Sequence, residues 1–305
     1  MIEIRDHLRC ALPENVRIEE GAGGLPLLRV RNSHATCSVY VYGAHIVSFT
    51  PRGEKDLLWL SPYSLFQEGS PIRGGIPICF PWFGKHEWRE DLPLHGFVRT
   101  RLWNIESAEN LADGRTKVAF SVESTDPPME VWPYRFRLHL SITVGEALEM
   151  ALMVQNLETM PITCEVGFHT YFRVGDSEQC EVVGLDRIEY IDRIQGNVRV
   201  IQVGPALFKG EMVHAFMHIP PVLELVDFPW HRRIRIEQRH MGSTLLWNPG
   251  AQSGLANPEI RNTWNQFVCV ESADCLDCRL EIPAQGCQHS LLRLSSVEIS
   301  GYTQR

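Results

Sequence analysis

The sequence predicts an all-β fold, a large antiparallel β-sandwich forming a single domain over residues 1–305. Three observations carry that prediction. Apolar residues recur with a period of two in strand-length runs rich in β-branched and aromatic side chains. Turn-forming dipeptides separate the runs. No stretch keeps a helical period for three turns or more. A length of 305 residues fits two average domains, yet large β folds often run longer as one unit. The chain shows no internal repeat, low-complexity tract or linker that would divide it.

In chain order, the runs begin with TCSVYVY (36–42), which ends before the turn at Arg52-Gly53. KVAFSVES (117–124), YRFRLHLSI (134–142) and LEMALMV (148–154) follow, bounded by Asp113-Gly114 and Gly145-Glu146. Beyond Gly175-Asp176 and Pro220-Pro221 comes the run Arg233-Ile234-Arg235-Ile236-Glu237-Gln238. Pro249-Gly250 is read as a further turn, and LLRLSSVEI (291–299) closes the pattern. Each alternates in the way a half-buried strand requires, with one face in the core and one in solvent.

Composition narrows the function. The chain is 44% hydrophobic and 22% charged, which suits a globular protein with a sizeable core. A net charge of −8 and a pI near 5.8 argue against general affinity for nucleic acid or anionic membrane. The basic run from His231 to Arg235 alternates with Ile234 and Ile236, so it reads as one solvated strand face. The N-terminus lacks the apolar core of a secretory signal, and no run reaches the ~18 apolar residues of a membrane helix. Nine cysteines, several inside apolar runs (Cys37, Cys164, Cys269), predict a reduced chain, with the cytoplasm as its compartment. Cys275-x-x-Cys278 with Cys287 and His289 resembles a zinc set only superficially, because Cys287-x-His289 is too tight for the usual spacing. No metal is expected there.

The segment 72–99, IRGGIPICFPWFGKHEWREDLPLHGFVR, carries the first candidate site residues. Arg73 stands before Gly74 and Gly75, where a missing Cβ lets a ligand approach the backbone. Arg99 repeats that chemistry after His95-Gly96-Phe97-Val98. An arginine fork meets a carboxylate or phosphate through two parallel hydrogen bonds.

Two strand-like stretches supply titratable groups. If TCEVGFHTYFRV (163–174) is one strand, Glu165, Gly167, His169 and Tyr171 share a face, and Val166, Phe168, Thr170 and Phe172 form the core face. Gly167 is expected to leave open volume beside the His169 imidazole. In QFVCVESA (266–273), Phe267, Cys269 and Glu271 point one way, and Val268 and Val270 the other. A half-buried Glu271 would have its pKa raised towards neutrality, as a general base or acid needs. On this stretch alone, a solvated strand end with Glu271 paired to an arginine fits equally well. No Gly-rich nucleotide loop, nucleophile elbow or activated serine or cysteine motif is present, which points to proton transfer without a covalent intermediate. A glycoside hydrolase would need two carboxylates, and one convincing candidate is found.

With these segments in hand, the chain resembles the aldose 1-epimerase family, and within it the hexose 6-phosphate mutarotases. The carrying residues are IRGGIPICFPWFG (72–84), LPLHGFVR (92–99), GFHTYFRVGD (167–176), LLWNPG (245–250) and FVCVESA (267–273), in the family's order. The resemblance implies an antiparallel supersandwich and interconversion of α and β anomers of a hexose 6-phosphate. His169 would match the acid that protonates the ring oxygen, and Glu271 the base that takes the anomeric proton. His95 would match a pocket histidine, and Arg73 and Arg99 the arginines associated with the sugar phosphate. No metal or organic cofactor is implied, and the expected partner is a small sugar phosphate bound by a monomer. The alternatives are a neutral-aldose 1-epimerase and a non-catalytic carbohydrate sensor.

The match departs from the family in two places. GEMVHAF (210–216) aligns Val213 with a family Asp and Phe216 with a Tyr, with Glu211 as a possible substitute acid. In SGLANPE (253–259), Asn257 stands at a second acidic position. Altered substrate preference would follow from either.

Overall fold

In a computed structural model describing residues 4–125 and 129–299, the alternating runs pair as antiparallel ladders. The first and last few residues of the expected 1–305 domain lie outside the described residues. A nine-stranded sheet has the order Ala206–Leu207, Cys180–Val183, Val222–Asp227, Arg232–Arg239, Cys287–Glu298, Leu148–Asn156, Phe136–Val144, Thr116–Glu123 and Asn104–Asn110. An eight-stranded sheet runs Val198–Ile201, Glu189–Asp192, Met212–Met217, Ser243–Asn248, Phe267–Asp274, Val166–Phe168 and Ile78–Cys79, with Tyr171–Arg173 also paired to Phe267–Asp274. A four-stranded sheet from Val16 to Pro51 and a two-stranded pair complete the described sheets.

The predicted alternation appears as burial. Phe136–Val144 and Leu148–Asn156 bury every second residue, as does Arg232–Arg239. Their inward side chains (Leu138, Leu140, Leu152, Ile234, Ile236) meet Phe168, Phe172, Leu246, Val268 and Val270 of the eight-stranded sheet in one apolar core. Each such side chain contributes about 1.5–3 kcal/mol relative to exposure, which fixes the register because a one-residue slip would turn the set outward.

Two details differ from the sequence reading. Pro249-Gly250 opens a short α-helix, Gly250–Ala256, rather than a hairpin turn. The stretch 163–174 is broken into Ile162–Cys164, Val166–Phe168 and Tyr171–Arg173. The break has a backbone cause: Glu165 and His169 donate their N–H groups to Pro81 and Pro77, and Thr170 to Phe168. The prolines cannot donate in return, so that side of the ladder stays incomplete.

The eight-stranded sheet is covered on both faces where it matters. Every residue of Phe267–Asp274 is buried. Val268 and Val270 enter the main core, whereas Phe267 and Cys269 join Trp59, Tyr171 and Ile260 on the opposite face. The loops of segment 57–99 and the chain from 250 to 265 form that outer cover.

Candidate active site

The central strand pair sets the geometry. Phe168 stands opposite Ser272 and Tyr171 opposite Cys269, so the register is the same on both sides of the break and His169 faces Glu271. The two side chains leave the same sheet face and meet, with His169 Nε2 3.3 Å from Glu271 Oε1. Both are buried. The expected half-buried carboxylate is therefore fully enclosed, and it pairs with His169 rather than with a surface arginine.

Aromatic rings hold the imidazole. Tyr171 stacks on it at 4.7 Å between centroids and 8° between planes. His95 approaches at 4.9 Å and Trp247 at 6.0 Å, both edge-on. Phe83 lies at 6.2 Å. The ring is thus confined from several directions while its Nδ1 is buried without a hydrogen-bond partner.

The volume predicted beside Gly167 is not open. A Cβ there would fall 2.6 Å from the Phe83 ring and 2.8 Å from Ala273, so the glycine makes room for Phe83. Gly74 and Gly75 likewise serve the fold rather than a ligand. Both have positive φ, and a Cβ would meet the Trp59 carbonyl at 2.5 Å or the Ile46 carbonyl at 2.2 Å.

His95 also takes a positive φ, with its N–H on the Gly84 carbonyl and its Nδ1 accepting from the Gly84 N–H at 3.2 Å. An accepting Nδ1 places the proton of the neutral ring on Nε2.

The arginines behave differently from one another. Arg73 donates from Nε and Nη2 to Glu259 at 3.3 and 3.0 Å, and from Nη1 to the Tyr171 hydroxyl at 3.1 Å. Its charge is compensated, and the Tyr171 hydroxyl and Glu259 raise its pKa further. Arg99 is buried, donates from Nη2 to the Leu94 carbonyl at 2.6 Å, and has no carboxylate within ion-pair reach among the described residues. Burial lowers its pKa, and its charge in turn opposes protonation of His45, His95 and His169.

Burial governs the catalytic candidates as well. It holds His169 and His95 well below the ordinary imidazole value, with Arg99 and Arg73 adding to the effect on both. The same burial raises Glu271 well above the carboxylate range. Burial thus favours the neutral form of each member of this adjacent acid–base unit. Such a unit can give a proton at one atom and take one at a neighbouring atom.

Sequence reasoning missed Glu259, the carboxylate that fixes Arg73. It named Asn257 instead, whose side chain accepts from the Glu259 N–H at 2.9 Å and so shapes the turn that delivers Glu259. Val213 lies on the strand neighbouring the site, opposite Trp247, whereas Phe216 points into the main core. Glu211 is exposed and accepts from Ser253. Cys275 sits beside Ser243 of the eight-stranded sheet and Cys278 beside Gly242, which precedes that strand, whereas Cys287 and His289 belong to the nine-stranded sheet.

The family described as aldose 1-epimerase matches residues 26–276, and this chain belongs to it. It is 32% identical to an *Escherichia coli* (strain K12) protein over 82% of this chain and 83% of that one, and 27% identical to a *Cenchrus ciliaris* protein over 82% and 78%. Both carry the provisional name glucose-6-phosphate 1-epimerase. A crystal structure of a provisionally named mutarotase, YeaD of *Salmonella typhimurium*, superposes with a TM-score of 0.87 at 25% identity, covering 94% of this chain and 95% of that chain.

Proposed function

We propose that this mutarotase acts on a hexose 6-phosphate, with glucose 6-phosphate as the preferred sugar. The observation that supports this reading is a buried acid–base contact beside a buried guanidinium, Arg99, with no carboxylate within ion-pair reach among the described residues. A buried cation costs several kcal/mol unless an anion meets it, and the phosphate of the substrate is that anion. Arg99 grips the phosphate, Arg73 shapes the pocket through Glu259 and Tyr171, and His95 donates from Nε2 to a sugar oxygen.

Ring opening needs a proton removed from the anomeric hydroxyl and one delivered to the ring oxygen. Both oxygens are bonded to C1, so an acid and a base in mutual contact serve them together. Glu271 takes the first proton and His169 gives the second. After rotation about the C1–C2 bond the steps reverse with the opposite configuration. Each group supplies ~10²–10⁴-fold, which is enough for a reaction that already runs unaided in water.

The reading extends to the whole chain as one domain, supported by the single core shared by the large sheets. It extends to a monomer, and to the cytoplasm as its compartment, the latter in keeping with nine free cysteines. No helix among the described residues is long and apolar enough to cross a membrane. A neutral-aldose substrate is the second reading, favoured by the Arg73–Glu259 pair, since one of the two cations is already neutralised.

Anomer-exchange NMR on glucose 6-phosphate, glucose and galactose tests the proposal. Catalysed exchange should be fastest for the phosphorylated sugar. Equal or faster exchange of either neutral sugar would give the second reading the lead.

A further inference from the structure

The same strand pair that brings His169 to Glu271 brings a third donor with it. Cys269 and Glu271 are two residues apart on one strand, so their side chains leave the same face. His169, Cys269 and Glu271 offer a nitrogen, a sulfur and an oxygen that all lie within 4.8 Å of one another, and all three residues are buried. Among the described residues this is where three such donors converge. Cys269 is read from sequence as a small hydrophobe. The cluster it joins, with Trp59, Tyr171 and Phe267, fits that role but leaves its sulfur facing the acid–base contact.

We propose that His169, Cys269 and Glu271 form a binding site for a borderline-soft divalent cation of the Zn²⁺ type. Tetrahedral zinc with bonds of about 2.0–2.3 Å holds its donors about 3.3–3.8 Å apart. The His169–Glu271 edge, at 3.3 Å, is already at that separation, and the edges to Cys269, within 4.8 Å, would contract on binding. A nitrogen, sulfur and oxygen donor set selects zinc over the hard cations calcium and magnesium. The thiol proton of Cys269 and the carboxyl proton of Glu271 leave to solvent on binding. One thiolate and one carboxylate then balance the dication, so the filled site adds no net charge beside Arg73 and Arg99.

The site is exchangeable rather than structural. His169 Nδ1 is buried without a protein partner, so the ring lacks the outer hydrogen bond that usually tightens a metal-bound histidine by ~10–100-fold. A fourth position remains for water. Because the ion occupies the two proposed proton-transfer groups, it competes with the sugar and stops turnover. That consequence rests on the proposed catalytic roles, whereas the binding itself does not.

The test uses the full chain, stripped of metal by a chelator and kept reduced. Cobalt(II) is titrated in, and the thiolate-to-cobalt charge-transfer absorption is followed in wild type, Cys269→Ser and Cys269→Ala. The band should appear in wild type, be displaced by zinc and be lost in both variants. Cys287 and His289, 3.7 Å apart on another strand, contribute equally to all three proteins and drop out of the difference. Zinc should inhibit glucose 6-phosphate exchange in wild type, reversibly with chelator. The half-inhibiting concentration should rise at least ~10-fold in the variants, each compared with its own metal-free rate. No band in wild type, or an undiminished band in folded variants, overturns the proposal. A Cys269-dependent band with exchange untouched by zinc upholds the cation site and instead removes His169 and Glu271 from the chemistry.

Discussion

Replacing Arg99 by methionine separates a binding role from a structural one more sharply than any other single change. The guanidinium is buried, its charge meets no carboxylate within ion-pair reach among the described residues, and it donates a hydrogen bond to the Leu94 carbonyl. If it meets the substrate phosphate with two charge-assisted hydrogen bonds of about 1.5–3 kcal/mol each, their loss amounts to roughly 3–6 kcal/mol. That is ~10²–10⁴-fold in kcat/KM for glucose 6-phosphate. Free glucose makes no such contact, so its slow turnover should change by no more than a few-fold. Stability should move the other way. Methionine fills similar volume without a buried charge, so the variant should melt at or above the wild-type temperature. Glucose 6-phosphate should raise the melting temperature of wild type and fail to do so in the variant, because a ligand stabilises only the state that binds it. Exchange NMR on both sugars and thermal melts with and without glucose 6-phosphate give the readings. Equal kinetic losses on the two sugars, or a melting temperature lowered by several degrees, would make Arg99 a structural residue and refute the phosphate assignment. Arg73→Met is the comparison: its loss strands Glu259, so it should lower stability and affect both sugars.

The other expectations concern the titrating groups. Glu271→Gln keeps shape and burial but removes the base, so exchange should fall ~10²–10⁴-fold with the fold intact by circular dichroism; activity within a few-fold of wild type would exclude the role. His169→Asn should cost a similar factor while glucose 6-phosphate still binds. The parent enzyme should show a bell-shaped pH–rate profile, and a flat one from pH 5 to 8 would count against the His169–Glu271 pair. Asp274 gives a stability prediction. Burial raises its pKa from 3.8 to about 6, and its Oδ2 is buried without a partner. A carboxyl raised in the folded state stabilises fully below its unfolded pKa and loses that contribution as pH rises through the folded one. Wild type should therefore lose about 2–3 kcal/mol across this window relative to Asp274→Asn. Urea midpoints at pH 4 and 7 measure it, and a parallel pH dependence in both proteins would refute it.

Much of this was legible in the sequence because period-two patterning is a local signal. The runs at 117–124, 134–142 and 148–154 became strands Thr116–Glu123, Phe136–Val144 and Leu148–Asn156 with nearly the same ends. Face assignments within 163–174 also held, since a pleated backbone alternates even where its ladder is interrupted. What failed was long-range. Nothing near Gly167 says that the Phe83 ring will occupy its missing Cβ, and nothing near Gly74 says that the Trp59 carbonyl lies behind it. Glu259 arrives at Arg73 from 186 residues away, at the end of a loop whose shape depends on the Asn257 side chain. Burial of Glu271 could be suspected from four preceding apolar residues, but its contact with His169 depends on a register that only the assembled sheet sets.

The charge balance of the site joins substrate choice to chemistry. With no anion bound, burial disfavours both an imidazolium at His169 and a carboxylate at Glu271, and the uncompensated Arg99 adds to the penalty on the imidazolium. Both effects oppose the protonation states that the proposed mechanism requires, an imidazolium at His169 and a carboxylate at Glu271. On the proposed assignment, a phosphate on Arg99 would cancel part of the field that suppresses His169 and so favour the working state of the pair. Arg73 adds to the same penalty on the imidazolium, but its ion-pair position is already taken by Glu259. On that assignment a phosphorylated sugar would be not merely better held but better able to switch the acid–base pair into its working state. The same assignment accounts for the two arginines: Arg73 has Glu259 to keep the pocket's shape with or without substrate, whereas Arg99, with no carboxylate ion-pair partner among the described residues, is left for the phosphate.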